Sequence, residues 1–381
     1  MAEKQKRILI FSFMYYPREV GGAEVAIKEI TDRLPTAEYQ FDMVTLHLDR
    51  DLPAHEKIGN VNVHRVGRGK YFFTVVGAWK AGKLHKEKKY DAIWSMMANY
   101  AGFAALFFKL RHPKVPFVLS LQEGDPIDYI KKRVRFVYPL FKKIFTKADN
   151  IQTISNYLAD FARIMGGKNI VVVPNGVDVA RFSAPISQSE IGATQEEIGK
   201  LAGDIFLITA SRLVVKNAVS DIVKALLFLP ENVKLLVCGV GYEEEKLRSL
   251  VEKISLGSRV VFKGFVSQND LPKYLRACDV FVRPSLSEGF GNSFIEAMAA
   301  RVPVVATPVG GIVDFLEDKR TGLFCAVSEP KDLALKVLIY LRDVNLREEI
   351  VDNAFEMVKE KYDWKLIASD MDEKVFKRTL I

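Results

Sequence analysis

The stretch from Asp279 to Gly311 limits the possible folds of this 381-residue chain more than any other. It reads DVFVRPSLSEGFGNSFIEAMAARVPVVATPVGG. Its first part, Asp279–Pro284, is short, apolar and β-branched, which is typical of a strand that is buried on both faces. A loop that contains two glycines follows at Ser285–Gly291.

The second part of the stretch predicts a helix and another strand. Ser293–Ala300 has the composition of a helix, and Asn292 or Ser293 is placed to cap it. Arg301–Thr307 is again apolar, and the pair Gly310-Gly311 follows it. Strand, short loop, helix and strand form a βαβ unit, which predicts a parallel sheet.

In a parallel sheet of this kind, ligands bind beyond the carboxyl ends of the strands. The loop that begins at Glu288 would lie there, and Glu296 would fall in the first turns of the helix. Two carboxylates beside the unpaired amides of a helix start suit a polyhydroxyl ligand, because acids accept from hydroxyls and amides donate to them. The spacing of the two glutamates is equally consistent with roles that involve no ligand. In that case, Glu296 only offsets the helix dipole and Glu288 is a solvated loop residue.

The run from Glu288 to Glu296 and on through EAMAARVPVVATPVGG resembles the signature of the retaining GT-B glycosyltransferases of family 4. In that signature, two glutamates separated by seven residues hold a sugar nucleotide. The resemblance implies that Glu288 approaches the donor sugar and that Glu296 binds the ribose hydroxyls. It also implies that the residues between them contact sugar hydroxyls and phosphate, namely Phe290, Gly291, Asn292 and Ser293.

Two cations follow the predicted strand Ile205–Ala210. Arg212 and Lys216 lie four residues apart before a helix, where a planar guanidinium and a mobile ammonium can bind a diphosphate. The resembled family uses an arginine and a lysine in this way, although it commonly has glycine where this chain has Asn217. The same family packs the nucleotide base near Val266, through the backbone.

The first half of the chain resembles the family more loosely. Gly21 and Gly22 stand between a strand and a helix, where the family's glycine-rich loop faces the donor diphosphate and the acceptor. After the strand Pro116–Leu121, many members have a histidine close to the acceptor, and this chain has Gln122 instead. The resemblance therefore assigns acceptor contacts to Gln122, Glu123 and Asp125.

A chain of this length predicts two domains. Ser183–Thr194, rich in small and turn-forming residues, is the predicted linker. Both halves alternate strands, glycine turns and helices, which favours an α/β class with twin Rossmann-like domains. The resemblance implies a GT-B fold with parallel sheets facing each other across a cleft. The predicted domains are 1–183, for the acceptor, and 184–362, for the nucleotide sugar, with a terminal helix at 363–381 that returns to the first.

Charge is unevenly distributed along the chain. Residues 1–185 carry 29 Lys and Arg against 18 Asp and Glu, a net +11, whereas residues 186–381 carry 26 against 29, a net −3. Lys70–Lys89 mixes lysines with aromatic residues, and Tyr129–Lys147 predicts an amphipathic basic helix or pair of helices, broken near Pro139. Such a face suits an anionic membrane surface, and it equally fits an ordinary helix with a solvated basic side. The basic residues carry no recognised nucleic-acid-binding motif, and we expect no nucleic-acid partner.

The remaining features predict a cytoplasmic protein without a cofactor. Cys238, Cys278 and Cys325 show neither paired nor metal-binding spacing, which predicts buried thiols in a reducing compartment. No apolar run is long enough to span a bilayer. Asp49-Arg50-Asp51 imitates the metal-binding motif of GT-A enzymes, but it lies in a polar connection, Asp49–Asn60, and the resemblance implies that no metal is needed.

Together these observations predict a retaining, metal-independent glycosyltransferase. It would move a hexose-like sugar from a UDP- or GDP-sugar to a glycan or lipid-linked acceptor, as in polysaccharide biosynthesis, and could bind the inner face of a membrane peripherally. Arg212, Lys216 and Glu288 would carry the transfer. Two alternatives stay open, which are a catalytically silent GT-B subunit that binds sugar nucleotide or glycan, and a nucleotide-sugar epimerase.

Overall fold

The computed structural model describes residues 5–18, 20–67 and 69–380. The chain divides into two compact units, the first made of Met1–Asn175 and Trp364–Ile381 and the second of Gly176–Asp363. The first division falls eight residues before the boundary predicted after residue 183. The difference arises because the short helix Val179–Ser183 packs against the helix Asn292–Ala299 of the second unit.

The first unit is built on an eight-stranded sheet. Its strands are β1 (Lys6–Phe11), β2 (Tyr39–Leu46), β3 (His55–Ile58), β4 (Val61–Val66), β5 (Ala92–Met96), β6 (Phe117–Leu121), β7 (Asn150–Thr153) and β8 (Ile170–Val172). Their order in the sheet is β3-β4-β2-β1-β5-β6-β7-β8. All neighbouring pairs are parallel except β3 and β4.

Strand β3 corrects one prediction, because it lies inside the segment Asp49–Asn60 that was interpreted as a polar connection. It forms an antiparallel hairpin with β4 at the edge of the sheet. Gly59 lies in the tight turn at a φ of +55°, which glycine adopts at little cost. Side chains of β3 alternate between exposed and half-buried, so the strand lacked the apolar pattern that predicts a strand.

Several helices that precede residue 176 accompany this sheet. They are α1 (Gly22–Arg33), α2 (Lys70–Lys88), α3 (Tyr100–Arg111), α4 (Ile127–Arg133), α5 (Tyr138–Lys147) and α6 (Asn156–Ile164). The predicted pair of basic helices is confirmed as α4 and α5. They are separated by the 3-10 turn Arg135–Val137, and Pro139 lies in the first turn of α5, where its missing amide costs nothing. Ser155 caps α6 and accepts from the amide of Leu158 at 3.3 Å.

The second unit is built on a six-stranded, fully parallel sheet. Its strands are β9 (Ile205–Ala210), β10 (Val233–Cys238), β11 (Val260–Gly264), β12 (Val280–Arg283), β13 (Val304–Ala306) and β14 (Leu323–Phe324). Their order is β11-β10-β9-β12-β13-β14. The central strands β9 and β12 are therefore neighbours.

The helices of the second unit are α7 (Val179–Ser183), α8 (Gln188–Glu197), α9 (Val219–Ala225), α10 (Glu244–Lys253), α11 (Leu271–Ala277), α12 (Asn292–Ala299), α13 (Pro330–Arg342) and α14 (Val344–Lys361). Shorter 3-10 turns lie at Val215–Asn217, Leu226–Phe228, Gly257–Arg259 and Gly310–Asp314. The succession β12, α12, β13 confirms the predicted βαβ unit. In contrast, α8 begins inside the predicted linker Ser183–Thr194 and makes most of it helical. Ser187 caps this helix and accepts from the amide of Glu190.

The last residues complete the first unit. They form α15 (Trp364–Met371), a π-helical turn at Asp372–Phe376 and α16 (Lys377–Thr379). Helix α15 packs against α1, and the side chains of Trp364, Ile367, Met371, Val375 and Phe376 join the core beneath the first sheet. The chain therefore leaves the first unit once and returns to it at its end.

Two predictions from the sequence, on the cysteines and on membrane-spanning segments, can be compared with the fold. Cys238, Cys278 and Cys325 are free and buried, as predicted. Within the described part of the chain, each helix is too short or too polar to cross a membrane.

Gly239, directly after β10, provides a test of the second sheet. Its φ is +137°, and a Cβ atom there would overlap the carbonyl oxygen of Ser211. We expect Gly239→Ala to lower the free energy of unfolding by at least about 2 kcal/mol, since both backbone strain and overlap must be relieved. Gly257→Ala is the matched control, because nothing lies within 4 Å of its added methyl group. Urea unfolding of both variants measures the difference, and equal stabilities would contradict the described turn.

Candidate active site

Most of the predicted donor-site residues of the second unit come together at the carboxyl ends of β9 and β12, whereas Val266 follows the edge strand β11. Residues 211–217, called here the Arg212 turn, follow β9, and residues 284–291, called the Glu288 loop, follow β12. The amide of Leu286 donates to the carbonyl oxygen of Lys216 at 2.7 Å. The two segments are thus joined directly through their backbones.

The Arg212 turn is held in shape by Asn217. This side chain is 2% exposed, and its Nδ2 donates to the carbonyl oxygen of Arg212 at 2.6 Å. The side chain of Arg212 is exposed and that of Lys216 is half-buried. A buried amide therefore fixes the backbone from which both cations extend.

The side chain of Glu288 is 10% exposed. One carboxylate oxygen accepts from the amide of Gly289 at 3.1 Å, and the other forms a short ion pair with Arg283, the last residue of β12. Arg283 is itself 8% exposed. A buried carboxylate needs such a partner, because an isolated charge in this position would lose its hydration without compensation.

The glycine pair predicted to follow the second strand also contacts this loop. The amide of Gly311 donates to the carbonyl oxygen of Glu288 at 3.0 Å. Gly310 has a φ of +55°, and a Cβ atom on it would overlap the same carbonyl oxygen. Only glycine allows the backbone to approach the Glu288 loop this closely.

The start of α12 differs from its prediction in two respects. Neither Asn292 nor Ser293 caps the helix, because Gly291, in a left-handed conformation with a φ of +96°, occupies the cap position. Ser293 instead accepts a hydrogen bond from Arg283 at 2.8 Å. The side chain of Phe290 is 1% exposed and packs against Phe315, so its backbone alone is available to a ligand.

Glu296 lies inside the first turns of α12 and is 5% exposed. It accepts from Nε2 of Gln268 at 3.1 Å. Burial raises the pKa of Glu296 from 4.5 to about 7, and the bond from Gln268 and the charge of Arg283 counteract part of this effect. Gln268 is two residues beyond Val266, so it connects the segment predicted to hold the base with the residue predicted to hold the ribose.

Gly21 and Gly22 belong to the first unit, unlike the other donor-binding candidates. Gly21 is the cap residue of α1, and Gly22 begins that helix. The amide of Gly21 donates to the carboxylate of Glu24 at 2.9 Å. A diphosphate that bound to this amide would have to displace Glu24.

The three acceptor candidates follow β6 in the first unit. Gln122 exchanges two hydrogen bonds with the amide group of Asn175, at 2.8 and 2.9 Å. Glu123 is 9% exposed and accepts from the amides of Ala98 at 2.7 Å and Gln122 at 3.0 Å. Burial raises its pKa to about 7. Glu123 therefore joins the ends of β5 and β6, whereas Asp125 lies half-buried beyond them.

Asp49 and Asp51, which imitate a metal-binding motif, both lie near Arg18. Asp49 forms a short ion pair with this guanidinium, and Asp51 lies 3.8 Å from it. Among the residues that the structure describes, no group of three or more His, Cys, Asp and Glu side chains is arranged to hold a metal ion.

Two family models match most of the chain. The model described as Glycosyl transferases group 1 matches residues 191–357, and the model described as Glycosyltransferase Family 4 matches residues 20–181. The chain is a family 4, group 1 glycosyltransferase. The second model covers the half in which sequence similarity to the family was looser.

Known proteins resemble this glycosyltransferase along its whole length. An uncharacterized glycosyltransferase of Methanocaldococcus jannaschii is 28% identical over 378 residues, covering 96% of each chain. Sucrose-phosphate synthase of Thermosynechococcus elongatus matches in structure with a TM-score of 0.87 at 21% identity, covering 98% of this chain and 99% of that one. Anabaena HepE in complex with UDP-glucose matches with a TM-score of 0.81 at 21% identity, covering 97% and 99%. The glycosyltransferase has the GT-B fold, as predicted.

Arg283, Asn217 and Gln268 are the site residues that sequence analysis did not single out for a role. Arg283 had one detectable signal, which is a charged residue inside the apolar strand DVFVRP. Gln268 lies in a polar loop, and nothing in its sequence context indicates that it contacts Glu296. Asn217 was noted only as a replacement for glycine.

Glu296 gives a prediction for the stability of the glycosyltransferase. Its pKa is raised in the folded state, so its contribution to stability is complete below pH 4.5 and is lost as the pH rises through about 7. Relative to Glu296→Gln, the wild type should lose up to roughly 3 kcal/mol of unfolding free energy between pH 5 and pH 8. Urea unfolding across this range measures the loss. The exposed Glu349→Gln serves as the control, and parallel profiles for wild type and Glu296→Gln would contradict the burial of this carboxyl group.

Proposed function

We propose that this glycosyltransferase moves a hexose-like sugar from a UDP- or GDP-sugar to a glycan or lipid-linked acceptor, with retention of configuration and without a metal. The observation that carries the proposal is the junction of the Arg212 turn and the Glu288 loop at the ends of β9 and β12. Cations and a carboxylate lie on two joined segments there. A nucleotide sugar offers the complementary sequence of groups, an anionic diphosphate followed by a sugar with hydroxyls.

In this proposal, Arg212 and Lys216 stabilise the departing nucleoside diphosphate. Negative charge grows on the diphosphate as the bond from its oxygen to the sugar breaks. Preorganised positive groups stabilise this charge without having to reorganise, which is usually the largest electrostatic contribution to such a step. Because the two side chains supply positive charge where GT-A enzymes use a metal ion, the transfer proceeds without one.

The carboxylates orient the two ends of the donor. Glu288 accepts from hydroxyls of the donor sugar, and Glu296 accepts from the ribose hydroxyls. The amides of Asn292 and Ser293, in the first turn of α12, donate to the anionic part of the donor. The backbone near Val266 contacts the base. The HepE complex with UDP-glucose supports a nucleotide sugar of this class.

The acceptor is assigned to the first unit, at the end of β6. Gln122 and Asp125 are the side chains that meet acceptor hydroxyls in this proposal. Glu123 acts behind them, because both of its oxygens accept from backbone amides. Its contribution is therefore to hold the loop that carries Gln122.

We further propose that an anionic membrane surface is the partner of the first unit, which suits a lipid-linked acceptor. The outer side of α2 carries four apolar side chains that are between 62% and 75% exposed, called here the aromatic face and made of Tyr71, Phe72, Val75 and Trp79. Exposed lysines, Lys83 and Lys86, continue along the same helix. Aromatic and basic side chains on one helix face are typical of helices that lie in a membrane interface.

A second basic and apolar surface lies at α4 and α5. Phe136 is 84% exposed, and Lys132, Arg133 and Arg135 around it are exposed as well. Both α2 and α5 pack against α3, so the two surfaces belong to one layer of helices in the first unit. Each lysine or arginine close to an anionic bilayer contributes about 1 kcal/mol of attraction, and the contributions of several such residues add.

The site assignment predicts strong effects on catalysis. Arg212→Ala and Glu288→Ala should each lower the rate of sugar transfer and of donor hydrolysis by about 10²–10³-fold, because a preorganised electrostatic contact is lost. Product release from labelled UDP- and GDP-sugars measures this. Arg320→Ala, which removes an exposed arginine of the same unit, is the matched control. Near-normal turnover in either site variant would reject the assignment, and a wild type that binds nucleotide sugars but neither hydrolyses nor transfers them would favour the silent subunit.

The membrane proposal is tested by removing apolar side chains from the aromatic face. Phe72→Ser combined with Trp79→Ser should weaken binding to vesicles rich in anionic lipid by at least about tenfold. Each aromatic side chain that leaves water for the membrane interface contributes up to about 1.5–3 kcal/mol. Leu110→Ser combined with Ile164→Ser removes two apolar side chains of α3 and α6 that are more than half exposed, and serves as the control. Co-sedimentation with vesicles measures binding. Equal binding by both double variants, or stronger salt-dependent binding to DNA than to vesicles, would contradict this partner.

A further inference from the structure

Arg283 makes directed contacts with several parts of the donor site. Its Nη1 donates to the hydroxyl of Ser293 at 2.8 Å, and its Nη2 donates to Oδ1 of Asn217 at 3.1 Å and to the carboxylate of Glu288. The guanidinium carbon lies 5.2 Å from the centre of the Phe294 ring. The guanidinium is therefore held by polar contacts at both Nη atoms and lies close to the Phe294 ring.

The three polar partners of Arg283 lie on three separate segments. Asn217 belongs to the Arg212 turn, Glu288 to the Glu288 loop and Ser293 to the first turn of α12. Asn217 also donates to the carbonyl oxygen of Arg212. One buried guanidinium thus connects the segment that carries the cations with the segments that carry the carboxylate and the helix amides.

The chemistry of this connection requires an arginine. A guanidinium is planar and presents five donors in fixed directions, so it can contact three acceptors at once, whereas a lysine ammonium is a single mobile point. Because its side chain is 9% exposed, Arg283 acts on the ligand through its partners and not by contact.

We propose that Arg283 is a positioning residue of the donor site, which orients the Glu288 carboxylate toward the sugar and fixes it relative to the Arg212 turn. The proposal rests on the assignment of this site to a nucleotide sugar. Sugar recognition then depends on Arg283 itself. Diphosphate recognition depends on Asn217, which holds the backbone of the Arg212 turn.

Two variants separate these contributions. Arg283→Lys keeps the charge but cannot reach Ser293, Asn217 and Glu288 together. It should weaken binding of the nucleotide sugar at least about tenfold more than binding of the free nucleoside diphosphate, and it should lower kcat more than it raises KM. Asn217→Ala leaves the pair of Arg283 and Glu288 in place. It should weaken binding of both ligands by a similar factor.

Calorimetric titration of UDP and UDP-glucose, and of GDP and GDP-mannose, measures the ratio of the two dissociation constants in each variant. Arg259→Lys is the matched control, since Arg259 lies in the same unit and donates to the carbonyl oxygens of Leu229, Pro230 and Val233, at the amino end of β10. It should leave the ratio unchanged. Thermal unfolding confirms beforehand that each variant is folded at the titration temperature.

The outcomes distinguish this inference from the proposed function. A wild type that binds none of the four ligands would overturn the proposed function and this inference with it. If the wild type binds and Arg283→Lys weakens both ligands equally or neither, the positioning role is wrong while the donor assignment stands. Should Arg283→Lys fail to fold, unchanged nucleotide affinity in Asn217→Ala would still overturn the connection between Arg283 and the Arg212 turn.

Discussion

The ion pair between Arg283 and Glu288 is the interaction on which the site of the second unit depends. It places a carboxylate in a position from which water is largely excluded, and this carboxylate stays there because a guanidinium contacts it. The same guanidinium donates to Asn217 and Ser293, so three polar side chains on separate segments share the burial of this charge pair. The charged residues that shape the site are therefore buried, beginning with Arg283 at the end of β12.

The parallel sheet explains why these residues meet. Strands β9 and β12 are far apart in sequence but adjacent in the sheet, and their carboxyl ends reach the same edge. The segment after each strand can then vary in sequence while its starting point stays fixed. Glycines complete the arrangement where backbones approach closely, as Gly310 does against the carbonyl oxygen of Glu288.

Much of this arrangement was predictable from the sequence, and the rest was not, for physical reasons. The βαβ unit around Glu288 has a strong apolar and helical pattern, and the motif places Arg212 and Glu288 at strand ends. Sequence patterns do not show which side chain faces which, so the contacts of Arg283 and Gln268 were missed. Strand β3 and helix α8 were missed because edge strands and exposed helices lack a continuous apolar pattern. Phe290 was assigned to the ligand, although tertiary packing buries its ring.

The most direct test of the account is amide hydrogen exchange of the wild type with and without UDP-, GDP-, ADP- and TDP-sugars, resolved by segment. The account predicts that at least one nucleotide sugar slows exchange in the Arg212 turn, the Glu288 loop and the first turn of α12 together, because the ligand contacts all three. Slower exchange confined to other segments, or no change with any of these ligands at millimolar concentration, would contradict it.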